Sequence, residues 1–154
     1  MSAFQLNALR ATRKNILNFL HACNLGELNH IPPGFNNNLL WNAGHVTVTQ
    51  QLLCYRLAGL EVGVSEEMIA EFKKGSKPER RYTEDDKKRI GDLLFSTLED
   101  LERDLAEKDF SNFTPYPTSY GVTLHNIEEA VQFNLAHEAM HLGTMLGLKK
   151  LVNL

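Results

Sequence analysis

Residues 126–151 read NIEEAVQFNLAHEAMHLGTMLGLKKL, a continuous helical pattern. Residues recurring every three or four positions lie on one face of an α-helix. The members of that face are Ile127, Ala130, Asn134, His137, His141, Thr144, Leu148 and Leu151. Thr123 or Asn126 begins the helix, and Glu129 stands in capping-box position after Asn126. The face is apolar at its ends and polar in its middle, which predicts that it surrounds a group at the centre of a helical fold.

Three further long helical patterns precede this one, with a shorter one between the second and the third. Their predicted bounds are Ser2 to Gly26, Leu39 to Ala58 before Gly59, Ser65 to Lys74, and a helix capped by Thr83 with its apolar stripe reaching Leu105. Pro115 and Pro117 exclude regular helix from residues 110–121. No stretch shows strict alternation of apolar and polar residues bounded by turn signals, so no strand is predicted. The expected fold is all-α, a four-helix bundle with long connections in a single domain, residues 1–154.

The composition restricts the classes of function. The chain has 154 residues, with 16 Lys+Arg against 19 Asp+Glu and a formal net charge of -3 at pH 7. A dedicated nucleic-acid binder normally carries a basic excess, so no nucleic-acid partner is expected. The first residues lack the apolar run of a signal peptide, and no run approaches the roughly 18 to 20 residues of a membrane span. Cys23 and Cys54 fit neither a disulfide framework nor a CxxC pair, which favours reduced, buried thiols and a cytoplasmic location.

The histidines carry the main functional signal. His137 and His141 are four residues apart, so their Cβ atoms lie about 5–6 Å apart on one helix face. Both imidazoles can place a nitrogen about 2.0–2.1 Å from one metal ion. His45 is the best third ligand, because it lies on the stripe of the second helix that faces the core. Three imidazoles are costly to bury without a shared partner, whereas a lone buried histidine needs no metal. We expect His21, His30 and His125 at surface or helix-capping positions.

The same pair belongs to an HExxH sequence, HEAMH at residues 137–141. In zinc peptidases the two histidines bind zinc and the glutamate is the general base. Glu138 is therefore the candidate catalytic residue, with orientation of a ligand or a solvent-facing position as alternatives. The extended motif is not met, since Thr144 stands in place of its glycine and Gly147 in place of its third histidine. Metal-assisted hydrolysis is the weaker alternative.

Four segments stand out by their order and spacing: WNAGH at 41–45, LLCYRLAG at 52–59, FKKGS at 72–76 and FNLAHEAMHLG at 133–143. Together they resemble the DinB-like metalloenzyme family. The resemblance covers essentially the whole chain, and its specificity comes from the order and spacing of short motifs. It implies a four-helix bundle, a divalent metal held by His45, His137 and His141, and a homodimer. Characterised members include transferases that use low-molecular-weight thiols and a thiol-dependent isomerase.

A three-histidine site leaves the double charge of the metal uncompensated and at least one coordination position open, as in catalytic zinc sites. A metal ion deprotonates a coordinated thiol, which agrees with the thiol-transferase branch of the family. The leading hypothesis is a metal-dependent thiol (S-)transferase that acts on a small electrophile, with a low-molecular-weight thiol as cosubstrate. Zinc or nickel is favoured, and iron also suits such a site. The alternative from another class is a non-catalytic metal-binding or stress-related dimer.

Overall fold

The computed structural model describes residues 3–152. Its elements are α1 (Ala3–Ala22), α2 (Leu25–Asn29), α3 (Leu39–Cys54), α4 (Glu66–Phe72), α5 (Glu84–Glu107), β1 (Tyr116–Pro117), β2 (Thr123–Leu124) and α6 (Ile127–Leu151). A 3₁₀ turn, Arg56–Ala58, follows α3. The fold is all-α, as predicted. Among the described residues, no helix is both long enough and apolar enough to cross a membrane.

Capping side chains explain where most helices begin. The side chains of Asn38, Ser65, Thr83 and Asn126 each accept a hydrogen bond from the backbone N–H three residues further on. Such bonds satisfy N–H groups that the first turn of a helix leaves free. Glu129 does not complete the predicted capping box, because its carboxylate accepts the backbone N–H of His125 instead. Ser2, where the first helix is predicted to begin, lies outside the described residues.

Three sequence-based expectations were wrong in detail. The first helix ends at Ala22 rather than near Gly26, because Asn24 and Glu27 form a capping box that begins α2. The second helix is regular only to Cys54 and tightens into the 3₁₀ turn before Gly59, which ends it at φ +71°. Two strands are present, with Tyr116 opposite Leu124 in an antiparallel pair. Strands of two residues are too short to produce an alternating pattern.

The helix α3 lies at the centre of the packing. It contacts α1, α2, α4, α5 and α6, while α1 also packs against α5 and α6. Nearly every side chain of α3 is buried, as is typical of a helix that is packed on several sides. Gly44 of α3 allows a close approach of α4, since a Cβ at this position would meet the ring of Phe72 at 2.5 Å. Because of this close approach, the C-terminus of α4 lies next to His45, which directly follows Gly44 in α3.

Candidate metal centre

Three histidines from two helices meet in one cluster. His45 lies on α3, and His137 and His141 lie one turn apart on α6. Each offers one ring nitrogen, and these three atoms all lie within 4.8 Å of one another. The imidazole centroids are 4.5–5.1 Å apart, which excludes other side chains from the space between them. The cluster could hold a metal ion, and it consists of the three residues that the sequence singles out.

A backbone carbonyl fixes the orientation of His45. Its Nδ1 lies 2.7 Å from the carbonyl oxygen of Phe72, the last residue of α4. A carbonyl can only accept, so Nδ1 carries the proton and Nε2 presents its lone pair. The Trp41 ring stacks on the same imidazole at 4.6 Å between centroids and restricts its rotation. Metal-binding histidines commonly donate their second N–H to a carbonyl in this way.

An amide on α3 fixes His141 by the same logic. The Nδ1 of His141 lies 2.8 Å from Oδ1 of Asn42. The amide nitrogen of Asn42 donates to the carbonyl oxygen of Asn38 at 2.7 Å and to Oδ1 of Asn37 at 3.0 Å. These two acceptors fix the amide orientation, so the Asn42 oxygen faces His141 and accepts from Nδ1–H. The Nε2 of His141 is therefore free to coordinate.

His137 differs from the other two imidazoles. Its Nδ1 is buried and has no hydrogen-bond partner among the described residues. The Phe133 ring stacks against it at 6.2 Å between centroids and supplies no polar contact. A buried polar atom without a partner costs free energy, and a divalent ion shared by three imidazoles would engage this histidine too. The donor set and the unpartnered nitrogen together fit a divalent metal ion.

All three imidazoles are held neutral. Burial, with smaller contributions from the charges of His141 and His45, lowers the pKa of His137 to about 3. Burial and the neighbouring His45 lower the pKa of His141 to about 4. Burial also lowers the pKa of His45, although the Phe72 carbonyl opposes this shift by stabilising the protonated ring. A neutral imidazole is the form that binds a metal, so the cluster is in its ligating state at neutral pH.

The three histidines border one cavity of about 550 Å³. Its walls come from α3, the 3₁₀ turn, α4, the segment around β1, and α6. Thr49, one turn after His45, also lines it, with its Oγ1 3.4 Å from Nε2 of His45. This volume lies in the range of small-molecule sites. A ligand in the cavity would therefore have direct access to the three imidazoles.

Glu138 points into the protein rather than towards solvent. Its side chain is 0% exposed, and Oε1 lies 2.7 Å from Nη2 of Arg13, which is also 0% exposed. Asn134 donates to the same oxygen at 2.7 Å, while Arg13 also donates to Thr97 and to the carbonyl of Leu94. The solvent-facing alternative for Glu138 is wrong. Glu138 is not among the residues that line the cavity, and its catalytic role stays a prediction.

Several other residues with polar or reactive side chains do not line the cavity: Cys23, Cys54, His21, His30, His125, Asn134 and Tyr120. Both cysteines are free and buried, and burial raises the pKa of the Cys54 thiol to about 12. His21, His30 and His125 are exposed, as predicted. Asn134 is engaged by Glu138, and Tyr120 is 70% exposed. Sequence reasoning missed Arg13 as a site-supporting residue, although its spacing of four from the buried Leu9 and three from Ile16 places it on the core face.

Comparison with known proteins identifies the family of the chain. The sequence matches the profile of the DinB superfamily over residues 8–145. The chain belongs to the DinB superfamily. A conserved protein from Enterococcus faecalis, solved by crystallography, is similar in fold with a TM-score of 0.69 and 14% sequence identity, over 99% of this chain and 98% of that one. No curated protein matches the sequence. The resemblance of the sequence to the DinB family is therefore confirmed, and the DinB match contains all three histidines.

Proposed function

We propose that this DinB-superfamily protein is a divalent-metal-dependent enzyme that transfers a low-molecular-weight thiol to a small electrophile. The observation that carries the proposal is the meeting of three oriented, neutral imidazoles at the wall of one ligand-sized cavity. The arrangement of α1, α3, α5 and α6 supports the four-helix bundle, with the metal between α3 and α6. Zinc or nickel is the proposed metal, and iron is also compatible with three histidines.

The residues of the chain supply binding and orientation. The Phe72 carbonyl and the Asn42 amide direct Nε2 of His45 and of His141 towards the cluster. A divalent ion bound to these residues would lower the pKa of a thiol or water that it binds. No carboxylate belongs to the described cluster, so the three neutral imidazoles would leave the charge of a bound divalent ion uncompensated and would favour an anionic ligand. In the reaction a sulfur–carbon bond forms, the bond to the leaving group breaks, and the thiol proton leaves with that group.

The thiol has to come from outside the chain. Cys23 and Cys54 are buried, and neither lines the cavity. The raised pKa of Cys54 keeps its thiol protonated, whereas the thiolate is the nucleophile. A diffusible thiol that enters the cavity therefore accounts for the chemistry better than a cysteine of the protein.

The geometry gives less support to hydrolysis. A general base has to reach the proton that it removes, directly or through one water. Both carboxylate oxygens of Glu138 accept hydrogen bonds from Arg13, and one also accepts from Asn134. Within the proposal Glu138 holds α6 against α1 and thereby positions His137 and His141. The homodimer is also proposed, and the apolar side chain of Leu146 on α6, 53% exposed, is available for a contact between two copies.

Metal analysis of untagged protein tests the proposal first. We expect about one equivalent of a divalent metal by elemental mass spectrometry, and its loss in His45→Ala, His137→Ala and His141→Ala. His21→Ala is the control, since that imidazole is exposed on α1. A panel of thiols and electrophiles then tests turnover. A metal-loaded protein without turnover over the whole panel would contradict the transferase and favour the non-catalytic metal-binding alternative.

A further inference from the structure

The cavity that the three histidines border has two kinds of wall. One part is apolar and includes Leu52, Leu57 and Phe133. The other part is cationic and consists of Arg56, Lys73 and Lys74. A surface of this kind fits a ligand with an apolar body and an anionic group.

The charge of the cavity is opposite to that of the whole chain. The chain carries a formal net charge of -3, yet its three cavity cations face a single carboxylate among the described lining residues, that of Glu66. Glu66 is ion-paired with Arg56, which leaves Lys73 and Lys74 in excess. Neither lysine forms an ion pair with another residue of the described range 3–152. Clefts lined by charge of one sign concentrate ligands of the opposite sign.

The two lysines are tied to the histidine cluster through the backbone. Lys73 is the C-cap of α4 and directly follows Phe72, whose carbonyl accepts the hydrogen bond from His45. A lysine at the end of a helix is also favoured by the helix dipole, but that preference does not require a position on a cavity wall. The segment that orients one imidazole therefore also places two cations at the edge of the same cavity.

We propose that Lys73 and Lys74 bind a carboxylate or phosphate group of the ligand whose reactive end reaches the three histidines. The substrate class is accordingly a small amphipathic anion, with its apolar part against Leu52, Leu57 and Phe133. The inference rests on the proposed function, since it assigns the substrate class of the same site. It assigns to the two lysines a role in specificity, separate from that of the histidines.

A pair of thiols that differ in charge tests this assignment. The probes are 3-mercaptopropionate and 3-mercaptopropan-1-ol, titrated into cobalt(II)-loaded protein and followed by the sulfur-to-cobalt absorption band. We expect the wild type to bind the carboxylate about tenfold more tightly, since two exposed cations each contribute a modest attraction. The variant Lys73→Gln/Lys74→Gln should lose this preference and bind both thiols within about twofold. Added salt should weaken the preference of the wild type.

Lys77→Gln is the matched control, because Lys77 is exposed on the same segment but does not line the cavity. It should keep the preference, and equal cobalt content in all variants should show that the histidine cluster is intact. Equal affinities for both thiols in the wild type, or an equal loss of preference in Lys77→Gln, would overturn the inference and leave the proposed function standing. Cobalt-loaded protein that binds neither thiol would overturn both.

Discussion

The Nδ1–H of His141 donates to Oδ1 of Asn42 across 2.8 Å, so a residue of α3 orients an imidazole of α6. Both residues border the contact between two long helices, and Asn42 is 0% exposed. The contact therefore has two functions. It satisfies a buried amide oxygen, and it selects the ring nitrogen of His141 that remains free.

Asn42→Ala should weaken metal binding about 10- to 100-fold, as substitution of the groups that support metal ligands typically does. His141 would lose the partner that fixes its tautomer and its orientation. The measurement is a competition titration with a metal chelator. Thr47→Ala is the matched control, because Thr47 is also buried on α3 but donates only to the carbonyl of Ala43. If both variants weaken metal binding equally, the effect comes from disturbance of α3 and not from the contact with His141.

The sequence allowed the three histidines to be found, but not the groups that orient them. Their spacing and the stripe of α3 bring them to one place, because helical periodicity determines which residues share a face. The Phe72 carbonyl is a backbone atom, so its role depends on how closely α4 approaches α3. The HExxH motif predicts that Glu138 lies beside the metal ligands. Its burial depends on Arg13, which is 125 positions away in the sequence. Contacts between distant segments leave no periodic signal.

Gly44→Ala should impair both stability and metal binding. A Cβ at Gly44 would lie 2.5 Å from the ring of Phe72, so α4 would have to shift together with the carbonyl that orients His45. Overpacking of this kind typically costs about 1–3 kcal/mol. Gly143→Ala is the matched variant, since that glycine is also helical but has nothing within 4 Å of an added Cβ. It should be stabilising by up to about 1 kcal/mol, because alanine is the better helix former.

Chemical denaturation measures the free energy of unfolding of both glycine variants, and a chelator titration measures their affinity for metal. Loss of stability in Gly44→Ala without loss of metal affinity would mean that α4 does not orient His45. Equal stability of Gly44→Ala and Gly143→Ala would mean that Phe72 can move aside freely.

Arg13→Met and Glu138→Gln should destabilise the protein to a similar extent. Each leaves one member of a fully buried ion pair without its partner, which typically costs about 3–5 kcal/mol. If Glu138 only positions α6, turnover per metal-loaded molecule should fall alike in both variants. A general base predicts a different result, because Glu138→Gln would abolish turnover whereas Arg13→Met retains the carboxylate. Unfolding free energy and turnover, both measured for the two variants, separate these roles.

The metal-free protein should lose stability as the pH falls from about 6.5 towards 4. In the folded state burial lowers the pKa of His137 to about 3 and of His141 to about 4, whereas in the unfolded chain a histidine titrates near pH 6.5. Between these values the unfolded state binds more protons, so the free energy of unfolding decreases by up to about 1.4 kcal/mol per pH unit for each imidazole.

Denaturation of metal-free protein at several pH values measures this slope. His137→Gln should reduce it by one imidazole's share. An unchanged slope in His137→Gln would show that His137 titrates alike in the folded and unfolded states.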